Sequence, residues 1–409
     1  MFFLYKIITT IFFLLSPILI LFRLLIGKED YKRILEKYSL KKNINKNTTI
    51  WFHGASVGEI MSILPIINKF EKDRDIKSIL LTSSTTSSAS IIKKKSFKKT
   101  KHVYYPFDVN FLCKNFLNNW KPRVAIFVDS EVWPNMLNNL SSRKIPTILI
   151  NARITNKSFK RWSKFYLFAK FVFSKITIAL PQNEETKVYL KKLGVKKIKF
   201  LGNLKYFGKN DQKQSTQLKN YFRNKLIFTA VSTHYNEEKI IGKLHINLKK
   251  KLKNIITIII PRHVNRTNDI IEELNRLNLK VIKRSDGKKP KSDFDIFLVD
   301  TYGEMTKFLR FSRLTFIGGS LVNHGGQNPL EAARIGNYII HGKQIGNFKE
   351  VYQELKKLKI SKEVKHIHEM QKVFMKNHQL KRSQKAIKRI DFIGNKILKD
   401  NIQEIKSYL

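Results

Sequence analysis

The sequence predicts an α/β protein of two doubly wound, parallel-sheet lobes facing a cleft, preceded by an N-terminal membrane anchor helix. Three observations predict it. From about residue 45 onward, short apolar runs alternate with segments of helical period. A polar, aperiodic stretch at 212–217 divides this alternation into two series. Residues 7–22 carry no charged side chain.

The N-terminal segment comes first. A membrane span needs about 17–25 mainly apolar residues. Here the apolar stretch resumes at Leu24 and Leu25 after Arg23, and Pro17 lies inside it. A cleavable signal peptide looks similar, but no small-x-small cleavage site follows. The basic residues Lys28, Lys32, Arg33, Lys37, Lys41 and Lys42 come next. By the positive-inside rule they stay in the cytoplasm. Residues 1–27 therefore read as an uncleaved anchor, with the body of the chain on the cytoplasmic side.

The first lobe is expected over 28–211. Strands are read at 47–52, 79–83, 124–128, 147–150, 176–180 and 198–201. Ile60, Ile63, Leu64, Ile67 and Phe70 recur at helical spacing. The second lobe, 212–380, has strands at 226–231, 255–260, 280–283, 296–299, 314–317 and 338–341, and a basic amphipathic helix at 237–252. Residues 381–409 form a basic helical pattern. Two strand–helix series imply two Rossmann-like sheets, in which ligands bind beyond the carboxyl ends of strands.

A chain of 409 residues with 42% hydrophobic residues supports two packed cores. The single cysteine, Cys113, excludes an internal disulfide framework and a cysteine metal cage. Lys plus Arg is 79 against 31 Asp plus Glu, a net charge of +48. Such a field favours anionic partners: nucleic acid, phosphorylated substrates or an acidic membrane surface. A bias toward Lys, Asn, Ile and Phe also inflates it, so charge alone identifies no partner.

The strand ends carry the chemistry. After the first strand comes His53-Gly54-Ala55-Ser56-Val57-Gly58-Glu59. Its amides at a helix start attract anions, and Glu59 is placed to take a proton from an acceptor hydroxyl. Ser56-x-x-Glu59 is equally a capping box. Val128-Asp129-Ser130-Glu131-Val132-Trp133-Pro134 brings two acids and a Trp to another strand end; a solvated acidic turn is the structural alternative. Gly202-Asn203-Leu204-Lys205 offers a cation just before the polar linker.

In the second lobe, Pro261-Arg262-His263 follows a buried strand, and Ser232-Thr233-His234 follows the strand before it. Arg suits phosphate oxygens. Thr301-Tyr302-Gly303-Glu304 and Gly325-Gly326-Gln327-Asn328-Pro329-Leu330-Glu331 read as glycine-rich turns with two further capping boxes. Asn328 is the expected cap and Pro329 the first helical residue. No G-x-G-x-x-G, Walker loop or convincing metal-ligand spacing appears.

Taken together, these runs resemble the Kdo (3-deoxy-D-manno-octulosonic acid) transferase family. The matching segments are HGASVGE, YYPFDV, EVWPN, NARI, GNLK, STH–EE, PRH, DTYGEM, GGSLV and GGQNPLEAA, in family order from about residue 50 to 350. The resemblance implies a GT-B fold and inverting, metal-independent transfer of Kdo from CMP-Kdo to a lipid A precursor, lipid IVA, at the cytoplasmic face of the inner membrane. It makes Glu59 the base, with Glu131 and Lys205 supporting the transition state. It places CMP on Pro261, Arg262, the Tyr302-Gly303-Glu304 turn and Asn328, Pro329, Leu330 and Glu331. Three positions depart from the family pattern. Gln327 stands where a His is usual, Asp129 where a second Glu is usual, and Ser84-Thr85-Thr86-Ser87-Ser88 lacks a glycine.

Two other readings compete. One is a GT-B transferase using a UDP-sugar on a lipid or wall precursor, which donor discrimination would separate. The other is a non-catalytic, membrane-tethered nucleic-acid binder. Against it, the lysines are spread along the chain and no nucleic-acid module appears, so no nucleic-acid partner is expected.

Overall fold

The computed structural model describes residues 1–39, 49–208, 216–287 and 294–409. Lys41, Lys42, the start of the strand expected at 47–52 and most of the polar stretch 212–217 lie outside the described residues. The chain divides into two compact units, Met1–Phe207 with Gly394–Leu409, and Gly208–Ile393.

The first unit holds six strands: β1 (Ile50–His53), β2 (Ile79–Ser83), β3 (Thr100–Tyr104), β4 (Val124–Val128), β5 (Thr147–Ala152) and β6 (Ile178–Pro181). Their order is β3-β2-β1-β4-β5-β6, with every pairing parallel. β1, β2 and β4 are buried along their whole length, as near-continuous apolar runs require when helices cover both faces. Trp51, Phe116, Phe127 and Leu149 belong to one core on one side of the sheet.

The second unit holds β7 (Leu226–Thr233), β8 (Ile255–Pro261), β9 (Val281–Lys283), β10 (Ile296–Leu298), β11 (Leu314–Ile317), β12 (Tyr338–His341) and β13 (Ser361–Glu363). Their order is β13-β12-β11-β7-β8-β10-β9, again parallel. In each sheet the direction of winding reverses beside its first strand, at β1/β4 and at β7/β11. Ligands bind at such reversals, outside the carboxyl ends of the strands.

Several sequence expectations change. β3 and β13 were not expected. Both lie at sheet edges, and β13 has no apolar residue, so backbone pairing to β12 rather than burial makes it a strand. The strand expected at 198–201 reduces to a single bridge between Ile198 and Ala179. The basic C-terminal pattern becomes one helix, Gln384–Lys406.

The N-terminal segment expected as an anchor also differs from a single helix. It is two helices, Phe2–Leu14 and Ser16–Leu25, bent by 49° at the break. Pro17 sits at the start of the second, where its missing N–H cannot continue the first. Among the described residues no single helix is long and apolar enough to cross a membrane, though the bent pair passes by length and composition. One face of the first helix packs on its own unit. Tyr5 donates its hydroxyl to Asp108 at 2.9 Å, and Phe2 and Tyr5 meet the rings of Phe171 and Phe168. Phe3, Ile8, Ile11 and Phe12 are exposed.

Candidate functional site

At the β1/β4 reversal, β1 runs into the turn that opens helix Val57–Glu71. Ser56 caps that helix in a complete capping box with Glu59. The Glu59 carboxylate accepts from the Ala55 N–H at 2.6 Å and from the Ser56 hydroxyl at 2.8 Å. The structural reading of Ser56-x-x-Glu59 is therefore realised. The same carboxyl is nevertheless pushed up to about 7 by burial and by the neighbouring Glu131, which outweigh those hydrogen bonds. A half-buried acid balanced near neutrality is suited to proton abstraction.

β4 delivers the next residues. Asp129 adopts a left-handed backbone, φ 61°, a conformation that Asp tolerates better than most residues. Its carbonyl accepts from the Arg153 N–H at 3.1 Å. Burial raises the Asp129 carboxyl, while Arg153 and Lys205 pull it back. Glu131 Oε2 accepts from Trp133 Nε1 at 2.8 Å and lies 3.0 Å from His53 Nε2.

Lys205 arrives on a short helical turn, Leu204–Tyr206. Two buried asparagines shape it. Asn203 Oδ1 accepts from the Lys205 N–H at 2.9 Å, and Asn151 Oδ1 from the Leu204 N–H at 3.0 Å. Burial pushes the Lys205 ammonium down; Asp129 and Glu59 push it up and Arg153 opposes them. Glu59, Asp129, Glu131, Arg153 and Lys205 thus form one electrostatic cluster. Glu59, Glu131 and Lys205 were expected there. Arg153 and Asn151 were not assigned roles, although both lie in the NARI run, the only sequence signal that marked them.

The second unit is built differently. At the β7/β11 reversal a Cβ on Gly318 would lie 2.3 Å from the Ser232 carbonyl oxygen, so only glycine permits this approach. Glu237, fully buried, accepts the backbone N–H groups of His234, Gly319, Ser320 and Leu321 at 2.7–3.1 Å. Burial raises its carboxyl, and those four bonds oppose the rise. His324, which sequence reasoning passed over, stacks on His234 with centroids 4.1 Å apart. Gln327 Nε2 lies 3.1 Å from His234 Nε2. Burial, then His324 and His263, push His234 down to about 4, so it is a neutral ring at neutral pH.

Pro261 is buried at the end of β8, whereas Arg262 and His263 are exposed beyond it. Tyr302 is 74% exposed, and Gly303 has φ 80°. The capping box expected at Thr301–Glu304 does not form. Glu304 precedes helix Met305–Leu309 without a side-chain cap, because its carboxylate is taken by Thr301 and Arg284 at 2.5 and 3.2 Å. Helix Leu330–Arg334 starts one residue later than expected, after Pro329, yet Asn328 Oδ1 still accepts the Leu330 N–H at 3.1 Å. The third box is thus only half made, since Glu331 instead accepts from Thr306 Oγ1 at 3.2 Å. Leu330 is fully buried, so only its backbone can face a ligand. Among the described residues no group of three or more His, Cys, Asp or Glu is placed to hold a metal ion.

Two parallel, doubly wound units with polar groups gathered at their winding reversals have the architecture of GT-B-like glycosyltransferases and related sugar-nucleotide enzymes. The fold resembles that of UDP-GlcNAc 2-epimerase from Neisseria meningitidis, at TM-score 0.59 and 14% identity, over 88% of this chain and 99% of that one. It also resembles the kitacinnamycin glycotransferase, at TM-score 0.52 and 9% identity, over 89% and 100%.

Sequence comparison defines the family. Residues 32–207 match the family model described as 3-deoxy-D-manno-octulosonic-acid transferase (kdotransferase). The 3-deoxy-D-manno-octulosonic acid transferase of Rickettsia bellii is 36% identical over 81% of this chain and 80% of its own length. That of Rickettsia prowazekii is 30% identical over 98% of both, and that of Haemophilus influenzae 30% identical over 85% and 84%. The chain belongs to the Kdo transferase family of glycosyltransferases.

Proposed function

We propose that the chain transfers Kdo from CMP-Kdo to a lipid A precursor, lipid IVA or a close relative, with inversion at the anomeric carbon. Glu59 takes the proton of the acceptor hydroxyl as its oxygen attacks that carbon and the bond to CMP breaks. Glu131 stabilises positive charge developing on the sugar, and Lys205 supports the transition state as a cation. In the second unit, Arg262, the Tyr302–Glu304 turn and the segment from Asn328 to Glu331 hold the nucleotide. The scheme requires no metal, because side-chain cations supply the positive charge; full activity in a chelator is expected.

The observation that carries this reading is Glu59, half-buried at the β1/β4 reversal and pushed up to about 7 beside Glu131. The exposed apolar residues of the two N-terminal helices support work at the cytoplasmic face of the inner membrane, where a lipid acceptor resides.

The test is incubation with CMP-Kdo and lipid IVA, with products weighed by mass spectrometry. Wild type should add Kdo. E59Q keeps nearly the same shape; it should stay folded and bind CMP, yet turn over about 10²-fold or more slowly. Absence of Kdo addition, or preference for a UDP-sugar, would overturn the substrate assignment. Near-normal turnover by E59Q would reduce Glu59 to a helix cap.

A further inference from the structure

His53 ends β1 with its side chain fully buried, a polar ring that the proposed chemistry leaves without a task. Its surroundings assign its proton. Trp51 and His53 lie two residues apart on β1, hence on one face, and Thr82 pairs with His53 on β2. Trp51 Nε1 donates to Thr82 Oγ1 at 2.9 Å. Indole N–H has no other role, so one lone pair of the Thr82 oxygen is occupied. The Thr82 proton then has two acceptors within reach: His53 Nδ1 at 2.9 Å and the Phe52 carbonyl at 3.3 Å.

If Thr82 donates to Nδ1, the neutral ring carries its proton on Nε2 and donates it to Glu131 Oε2, 3.0 Å away. If Nδ1 were the protonated nitrogen of a neutral ring, the Nε2 lone pair would face a carboxylate oxygen. Protonating both nitrogens would bury an imidazolium. With Glu131 ionised, as its charge-stabilising role requires, only the first arrangement satisfies every atom of the chain without a buried cation. Tyr105 stacks on the ring at 3.9 Å and fixes its plane. On the far side, Trp133 Nε1 donates to the same Glu131 oxygen. Two rigid N–H donors therefore orient one carboxylate oxygen.

Building on the transferase reading above, we propose that Trp51, Thr82 and His53 form a relay that fixes His53 as the neutral Nε2–H tautomer and thereby orients Glu131 beside Glu59. His53 is a positioning residue, acting through Glu131. Glu131 faces His53 in this network; Glu131, Asp129 and Lys205 face Glu59 electrostatically. No proton leaves His53 during turnover, so the relay needs a donor at that position rather than a titratable group.

That distinction sets the test. H53F keeps the ring stacked on Tyr105 but cannot donate. H53Q places an amide N–H near the Nε2 position and cannot titrate. H53F should lower kcat roughly 10–100-fold with little change in KM for donor, while H53Q should restore most of it. Circular-dichroism melts confirm that each variant folds, and T82V gives a milder perturbation that leaves His53 in place. Independently, ¹⁵N-histidine spectra of the whole protein, with the His53 signal identified by its loss in H53Q, should show the Nε2–H tautomer in wild type and a tautomer mixture in T82V. An imidazolium or Nδ1–H ring at neutral pH, or an H53Q no more active than H53F, in an otherwise active wild type would overturn the relay. A wild type inactive on CMP-Kdo but showing the expected tautomer would instead sink the functional reading on which the catalytic part rests.

Discussion

The two winding reversals of this protein use opposite materials. At β1/β4, half-buried charged side chains face one another: Glu59, Asp129 and Lys205 are all displaced from their ordinary ionisation, burial being the largest cause each time. At β7/β11, the buried acid Glu237 is spent on four backbone amides, while glycines bring chains together and Arg262, His263 and Tyr302 stand in solvent. A site that moves protons needs groups with perturbed affinities. A site that grips an anion needs exposed donors on a rigid frame. On the proposed reading, the difference divides labour between chemistry and nucleotide binding, and it can be broken one side at a time.

The largest effect is expected on the first side. K205M removes the cation that offsets Asp129 and Glu59. Turnover should fall about 10²-fold, and the acid limb of the rate profile should move to higher pH, because Glu59 loses a positive neighbour. CMP affinity, measured by calorimetry, should not change. A K205M variant with weakened CMP binding and normal chemistry would reverse the division.

On the second side the pattern should invert. R262A should weaken CMP binding by about 1.5–3 kcal/mol through loss of a charge-assisted contact, with turnover at saturating donor nearly preserved. E331Q should weaken it less, since Glu331 already spends an oxygen on Thr306. Unchanged calorimetry for both would place the nucleotide elsewhere.

How far the sequence revealed this contrast depends on what each residue contacts. The long buried strands β1, β2, β4, β8 and β11 were legible because burial on both faces writes an apolar run. β3 and β13 were not, since an edge strand is defined by its neighbour's backbone. That Glu59, Glu131 and Lys205 meet in one cluster was foreshadowed by their places at strand ends. Asn151, Asn203 and Glu237 were not assigned, because their work is to hold backbone N–H groups that only the folded chain brings near. The bend between the N-terminal helices was foreshadowed by Pro17, but the docking of the first helix was invisible: it depends on Asp108, about a hundred residues away.

That docking gives the smallest expected effect. A chain starting near Lys28 should bind acidic vesicles in low salt and leave them as salt rises, each Lys or Arg near the surface contributing about 1 kcal/mol. The full chain should stay with membranes in high salt. The shortened chain should also lose stability, because Tyr5 supports Asp108, which accepts the first N–H groups of helix Pro134–Ser142 just after Glu131. Y5F alone should cost about 1–2 kcal/mol in a denaturant titration. Release of the full chain by salt alone would show that the N-terminal helices do not anchor it, and a Y5F melt equal to wild type would show that Tyr5 does not support the first unit.

Glu59, raised to about 7 by burial and then by Glu131, is the proposed base. A base must be unprotonated to act, so kcat/KM for Kdo transfer should rise with pH along a single-proton limb and level off above about pH 7. The same limb should be absent from the residual activity of E59Q. A wild-type profile flat across that region, or an unchanged limb in E59Q, would contradict it.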